Sequence, residues 1–144
     1  MASYNKYNIF VEDFANAKHD VFGTAGSGAD TLKIALTNTA PNTSTHAVLG
    51  DITEISAGNG YTAGGNTATN VGTRSTGTTT VAGSSTTFTA SGGSIGPFRY
   101  AVLYNSTQTT PNKPLIAYWD YGSSITLADT ETFTVTITNL FTLT

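Results

Sequence analysis

The chain has no cysteine, only two histidines and few charges. The absence of cysteine excludes disulfides and thiolate metal sites. Charged residues make up 10% of the sequence, against about a quarter in ordinary soluble domains. The six basic residues are scattered and the net charge is −3, whereas binding to a phosphate backbone depends on clustered Lys and Arg. We therefore expect no nucleic-acid partner.

No apolar run approaches the length needed to span a bilayer, and the first residues lack the basic-then-apolar order of a secretory signal. We therefore expect no membrane partner and no Sec-dependent export. Hydroxyl groups are abundant instead, because about a fifth of the residues are threonine. The length of 144 residues suits one ordinary domain, so we predict a single β domain over residues 1–144.

Strict alternation predicts the fold class. In Thr132–Thr138 the apolar residues Phe133, Val135 and Ile137 alternate with threonine, which places them on one face of a strand. Thr31–Thr37 alternates in the same way, with Leu32, Ile34 and Leu36 predicted to point inward. We predict an all-β protein, an antiparallel β-sandwich or jelly-roll-like domain with a short N-terminal helix.

Two segments carry apolar residues on both faces, as central strands do. They are Phe98–Tyr104 and Leu115–Tyr121, and we predict that they pair antiparallel. Gly122–Ser124 is predicted to turn the chain into Ile125–Leu127, and Asp129 and Thr130 are predicted to make a second turn.

The remaining segments are less regular. Helical spacing of Tyr7, Phe10 and Phe14 predicts an amphipathic helix near residues 5–18, within an N-terminal arm over residues 1–24. Ser3 or Asn5 is expected to cap this helix, Gly23 and Gly26–Gly28 to end it, and a strand over residues 8–11 stays an alternative. Residues 48–55 fit a helical turn or a short strand. Residues 56–93, a Gly/Thr-rich extended segment, fit either a linker or thin strands packed on the domain or on another subunit.

Three short motifs resemble catalytic or binding sequences. Ser94 lies in a G-x-S-x-G pattern, but no histidine follows it and the next segment reads as a strand, so a Gly-rich turn is the better interpretation. Gly58–Ala63 imitates a dinucleotide fingerprint without a helix after it, which indicates a shaped loop anchored by Tyr61. Gly26–Leu32 resembles half of a calcium-binding repeat, yet only one copy is present, so Asp30 is expected to cap a turn.

Individual polar and aromatic residues give no catalytic set. His19 and His46 lack partners at metal-ligand spacing, and His19 is expected to interact favourably with the helix dipole. Trp119 in a two-faced strand is expected in the core. Asp120 with Asp129 or Glu131 forms no recognisable glycosidase pair. We therefore expect no catalytic residues, no cofactor and no metal, and the protein is not expected to be an enzyme.

Several segments, in order, resemble a group of small β-rich virion proteins of tailed bacteriophages. They are Phe10–Phe14, Asp51–Ile55, Gly58–Gly65, Phe98–Tyr104 and Pro114–Gly122. The resemblance covers most of the chain except residues near 66–90, and it brings no catalytic residues with it.

The resemblance implies a virion component located on the capsid surface and made in the host cytoplasm. A capsid decoration, or cement, protein is the first hypothesis, with the major capsid protein and copies of itself as partners, in a homo-oligomer. Possible partner contacts are Tyr61, Arg74, Phe10 and Phe14. A tail, connector or adaptor protein is one alternative. The other is a carbohydrate-binding adhesin module that uses Tyr61, Tyr118 or Trp119 as a stacking platform.

Overall fold

A computed structural model describes residues 3–22 and 29–144 of the chain. Strands make up 49% of the protein and helices 8%, so the predicted all-β class is confirmed, with antiparallel sheets packed as a sandwich. The elements are β1 (Ser3–Lys6), α1 (Asn8–Ala15), β2 (Leu32–Thr37), a 3₁₀ turn (Leu49–Asp51), β3 (Asn66–Ala68), β4 (Asn70–Ser75), β5 (Thr78–Gly83), β6 (Thr86–Thr89), β7 (Ile95–Asn105), β8 (Leu115–Leu127), β9 (Thr132–Val135) and β10 (Phe141–Leu143).

The first layer is a five-stranded antiparallel sheet in the order β1-β8-β7-β2-β3. Its centre is the predicted pair, in which Ala101 lies opposite Trp119 and Leu103 opposite Ala117. Strand β2 adds to the other side of β7, with Ile34 opposite Leu103. The antiparallel pairing of the two-faced segments is therefore confirmed.

Both faces of this sheet are covered, which explains why its central strands are apolar on both sides. One face contributes Leu32, Ile34 and Leu36 of β2 to the larger core. The opposite face carries Ala35, Val102 and Tyr104, which pack with Ile52 and Tyr7 in a second cluster. The loop that holds the 3₁₀ turn covers this second face. The predicted inward set of β2 is confirmed, but Ala35 and Thr37 are buried too.

The second layer is made of two small sheets packed on the larger core. One has the order β10-β5-β4 and contains the β4–β5 hairpin, and the other pairs β6 with β9. Val81 of β5, Phe88 of β6 and Val135 of β9 contribute to the core. Threonines alternate with these residues and face outward, as Thr87 and Thr134 do, with hydroxyl oxygens 2.9 Å apart. The Gly/Thr-rich segment is thus built of strands, and the linker alternative is wrong.

The N-terminal helix is shorter than predicted. Residues 3–6 form β1 and pair with β8, with Tyr4 opposite Trp119, so tertiary pairing overrides the local helical spacing. The helix starts after Tyr7, and no side chain caps it; Ser3 and Asn5 do not have the predicted capping role. The alternative strand over residues 8–11 is also wrong. Gly23 and Gly26–Gly28 lie outside the described residues.

Gly122–Ser124 does not turn the chain, contrary to the prediction. Strand β8 continues to Leu127, and the ladder absorbs the extra residues as a bulge. Phe98 lies opposite Ile125 and Tyr100 opposite Asp120, so four residues of β8 face Arg99 alone. A bulge of this kind bends the strand and redirects its side chains. The predicted turn at Asp129 and Thr130 is present.

The loop before β3 is held by buried hydroxyl groups, as its expected anchor predicts. The Tyr61 hydroxyl donates to Glu54 Oε1 at 2.5 Å and accepts from the Leu36 N–H at 3.0 Å. Burial and the bond to Glu54 raise the pKa of Tyr61. The Tyr104 hydroxyl donates to the Gly64 carbonyl at 2.7 Å. These bonds seat Gly65 directly against the backbone of β2.

Replacing Gly65 with alanine should destabilise the fold strongly. Gly65 has a φ of +68°, and a Cβ there would overlap the Ile34 carbonyl oxygen. Gly77 in the β4–β5 turn has a φ of +80° but open space around its Cβ, so Gly77→Ala isolates the backbone cost of about 1 kcal/mol. We expect Gly65→Ala to lose more than about 3 kcal/mol in urea unfolding. Equal losses in the two variants would contradict this packing.

Candidate functional site

A groove opens where the bulge redirects β8, between the five-stranded sheet and β9. It encloses a cavity of about 550 Å³. Trp119 and Ala101 of the large sheet line one side, and Phe133 and Val135 of β9 line the other. Ligand sites commonly have this size and a largely apolar wall with a few polar groups.

Aromatic rings define the groove. The Tyr121 side chain is 49% exposed, and its ring meets the Phe133 ring edge-on with centroids 5.8 Å apart. Trp119 is buried as predicted, and Tyr4 packs on it edge-on at 5.6 Å. A second cavity of about 440 Å³ also has Tyr121 and Phe133 in its wall. These two rings therefore stand between the two cavities; we call the whole the aromatic cleft.

One ion pair lies beside the aromatic cleft. Arg99 Nε donates to Asp120 Oδ1 at 2.7 Å, and the second guanidinium nitrogen donates to Oδ2 at 2.9 Å. The Gly122 N–H donates to the same Oδ1 at 2.8 Å. The bond from Arg99 lowers the pKa of Asp120. Because the pair is bidentate, Arg99 is held in one orientation and the local charge is balanced.

The main chain of β9 also faces this cleft. The Ala90 N–H donates to the Glu131 carbonyl at 2.9 Å, and Phe88 lies opposite Phe133. In an antiparallel ladder alternate residues bond to the same neighbour, so Phe133 and Val135 bond to β6. Thr134 and Thr136 therefore direct their N–H and C=O groups to the opposite edge, and both line the larger cavity.

A second surface lies on the sheet β10-β5-β4. Gly72, Val81 and Phe141 share a row on its inner face, and the Phe22 ring lies against Gly72. The next row, Arg74, Thr79 and Leu143, extends past the core. Phe22 is 53% exposed and Leu143 42%. We call this surface the hairpin patch; its members are Phe14, Phe22, Arg74, Phe141 and Leu143.

The predicted partner contacts fall in two groups. Tyr61 and Phe10 are only 3% and 4% exposed, so they build the core and present almost no surface to a partner; their prediction as contacts is corrected on that ground. Phe14 is half-buried, with its ring 5.3 Å from Phe141, and Arg74 is exposed. Both belong to the hairpin patch, and their role as contacts stays a prediction.

Sequence reasoning missed the most exposed members of both surfaces. The sequence pattern places Tyr121 in the central strand, whereas in the structure it is the first residue of the bulge. The predicted stacking platforms are less accessible: Tyr118 packs with the second cluster, and Trp119 forms the floor of the cleft. Leu143 carried a usable signal, because Phe141 and Leu143 continue a period of two after the alternating tail. Phe22 carried none that we identify.

A polar cluster forms around Asn105, at the end of β7, and includes His19 and Asp30. His19 is buried with Nδ1 3.3 Å from Asn105 Nδ2, and its ring stacks near Phe10 at 5.2 Å. Burial lowers the pKa of His19 to about 4, against a smaller opposing effect of Asp30. The ring is therefore neutral near pH 7, and the predicted interaction of a charged His19 with the helix dipole is wrong.

Asp30 is the acidic member of the same cluster. Its Oδ2 accepts from the Asp20 N–H at 2.8 Å and from Asn105 Nδ2 at 2.5 Å. These bonds link Asp30 to Asp20 and to the end of β7, so the expected capping of a turn into β2 stays a prediction. Within residues 3–22 and 29–144, no three His, Cys, Asp or Glu side chains are grouped so as to hold a metal ion.

The other motifs have structural roles. Ser94 precedes β7 directly, as the turn interpretation requires. Gly58–Gly65 leads into β3 and not into a helix. The carboxylates of Asp129 and Glu131 accept from the N–H groups of Gly92 and Ala128, at 2.8 and 2.7 Å. Each of these carboxylates therefore fixes a turn.

Comparison with known proteins adds no relative: no family model, no curated protein and no solved structure matches this chain. In the part of the chain that the structure describes, no helix combines the length and apolar character needed to cross a bilayer.

The neutral His19 predicts a specific pH dependence. Because its pKa is lowered to about 4 from 6.5, the unfolded chain binds its proton more readily. The contribution to stability is complete above pH 6.5 and is lost as the pH falls toward 4. We expect this group to reduce the free energy of unfolding by about 1–3 kcal/mol over that window. In His19→Gln this part of the loss should vanish.

The measurement is urea unfolding of both proteins from pH 7 to pH 4. Carboxylates that titrate in the same window are common to both, so the difference between the curves reports His19. Parallel curves would show that His19 is not held neutral by burial.

Proposed function

We propose that the protein is a structural component of a tailed-bacteriophage virion, a capsid decoration protein that stabilises the shell by binding and not by catalysis. The observation that carries this proposal is the hairpin patch, in which exposed apolar side chains lie next to residues packed on the core. The resemblance of five ordered segments to virion proteins supports the same class. Backbone N–H groups hold the carboxylates of Asp129 and Glu131, and Arg99 holds that of Asp120, which supports a non-catalytic role for these three groups.

The patch has the composition of a docking surface. Exposed contiguous apolar residues mark interaction sites on soluble proteins. Here Leu143 and Phe22 stand out beside the half-buried rings of Phe14 and Phe141, and Arg74 supplies a charged group at the rim. Interfaces place apolar and aromatic residues at the centre and polar groups around them. The proposed partner is the major capsid protein.

The same sheet offers main-chain groups for assembly. Strands β10 and β4 are the edges of the order β10-β5-β4, and an edge strand can pair with a strand of another chain. Copies of the protein or an arm of the capsid protein are the proposed partners there. Each joint would add its binding free energy to the shell by mass action, and repetition over a lattice would multiply weak joints.

A tail, connector or adaptor protein would share these features, and copy number separates the two locations. Quantifying the chain against the major capsid protein in purified particles should give a ratio typical of a shell-wide lattice. A number equal to one ring would remove the decoration role and support the connector alternative.

A charge placed in the hairpin patch should weaken binding to capsids. Leu143→Asp introduces a carboxylate among apolar side chains, and we expect at least about a tenfold loss of affinity for purified shells. Thr142→Asp is the matched control, because it carries the same charge one residue away, on the outer face of the same strand. Sedimentation of labelled protein with capsids measures both, and thermal melting checks that both variants fold.

Equal binding by Leu143→Asp and Thr142→Asp would remove the patch as the docking surface. A loss of binding in Thr142→Asp alone would move the contact to the outer threonine face.

A further inference from the structure

We propose that the aromatic cleft binds a short neutral oligosaccharide. This site is separate from the hairpin patch and goes beyond a role in shell stability. It is formed by Tyr121, Phe133, Trp119, Arg99, Thr136 and Thr138.

The dimensions of the cleft suit a chain of a few sugar rings. Cavities of about 550 Å³ and 440 Å³ share Tyr121 and Phe133 in their walls. Sites for small ligands commonly have volumes of about 300–1,000 Å³. Two adjoining compartments that share an aromatic wall fit a ligand made of linked rings, with one ring or two on each side.

The aromatic wall supplies the apolar part of the recognition. Sugar rings present C–H groups on one face, and an aromatic ring offers a flat apolar surface of similar width with a negative face. The Tyr121 ring is half exposed, and its contact with Phe133 holds it in place. Trp119 adds a second aromatic side chain to the wall of the larger cavity. A rigid exposed ring loses little conformational entropy when a ligand binds.

The polar part consists of groups that both donate and accept. Hydroxyls do both, and Thr136 and Thr138 are exposed and line the larger cavity. The free edge of β9 adds N–H and C=O groups of Thr134 and Thr136. The guanidinium of Arg99 is fixed by Asp120 and keeps N–H groups at the cavity wall. Such a mixture matches the hydroxyls of a sugar.

Charge selects a neutral ligand. The pairing of Arg99 with Asp120 cancels the charge beside the larger cavity, and Glu131 lines the smaller one, so an acidic ligand would be repelled. The structure also disfavours an extended peptide paired along the whole of β9, because the contact between Tyr121 and Phe133 crosses the cleft at the second residue of that strand.

The experiment is ligand-observed NMR titration of the intact protein with maltotriose, cellotriose, N,N′,N″-triacetylchitotriose and mannotriose. We expect at least one of them to bind with a dissociation constant in the millimolar range or below, and Tyr121→Ala to weaken that binding at least about tenfold. Tyr121→Phe keeps the ring and should retain most of the affinity. Phe22→Ala removes a ring of similar exposure that does not line the cleft, so this variant should bind the sugar as the unmodified protein does.

Thr136→Val gives an independent readout at the polar wall. It removes one hydroxyl at nearly constant shape and should weaken the same trisaccharide about threefold or more. Failure of all four sugars to bind overturns the proposal. So does binding that Tyr121→Ala leaves unchanged, or binding of a Thr/Val-rich extended peptide in the cleft in place of a sugar.

Discussion

The antiparallel pair of β7 and β8, with 11 and 13 residues, has one hydrophobic cluster on each of its two faces. On one face Ala101, Leu103 and Trp119 meet the second layer. On the other, Val102 and Tyr104 meet the loop around the 3₁₀ turn. The chain has few charges and no disulfides, so burial of apolar surface is the main driving force for folding, and both clusters include residues of this pair. Strand β1 attaches to β8, and β2 with β3 attaches to β7, whereas the remaining strands form the two smaller sheets packed on this one.

The bulge in this ladder connects the fold to the aromatic cleft. If the pairing ran regularly past Arg99, Tyr121 would continue the inward series of Trp119 and pack inside the sandwich. Four residues opposite one instead bend β8 outward, so the Tyr121 ring stands at the surface against Phe133. Asp120 then binds both Arg99 and the Gly122 N–H, which fixes the start of the bulge. The local irregularity, and not the regular sheet, creates the binding geometry that we propose.

Much of the fold was predictable, because β-alternation is a local signal that burial enforces. Leu32–Leu36 and Phe133–Ile137 alternate for this reason. The segments with apolar residues on both faces indicated a sheet that is buried on both sides. The errors came where non-local pairing decided the outcome. The spacing of Tyr7, Phe10 and Phe14 predicts a helix from about residue 5, but residues 3–6 pair with the edge of β8 instead. Gly122–Ser124 has turn composition, but the residues on both sides of it pair with β7. The segment therefore forms a bulge and not a turn.

The candidate surfaces were harder to predict, because a site depends on which side chains remain exposed after packing. Tyr61 and Phe10 are aromatic residues that we predicted as partner contacts, but both are buried in the core. Tyr121 and Leu143 look like ordinary strand residues and are exposed because the strand bulges or extends beyond its support. Arg74 and Phe14 are members of the hairpin patch, and their role as partner contacts stays a prediction. Exposure of an apolar residue is a property of the whole fold, and no window of sequence contains it.

The two surfaces also differ in the kind of contact that each can make. The difference follows from where apolar and threonine side chains lie on the strands. The hairpin patch is an apolar area on one face of a small sheet, suited to a partner that covers it and excludes water. The aromatic cleft is concave, with hydroxyl and main-chain groups beside the rings, and suits a ligand that remains partly hydrated. They are formed by different elements: α1, Phe22, β4 and β10 in one case, and β7, β8 and β9 in the other. A protein held to a shell through the first would therefore leave the second free, so occupation of one surface does not require loss of the other.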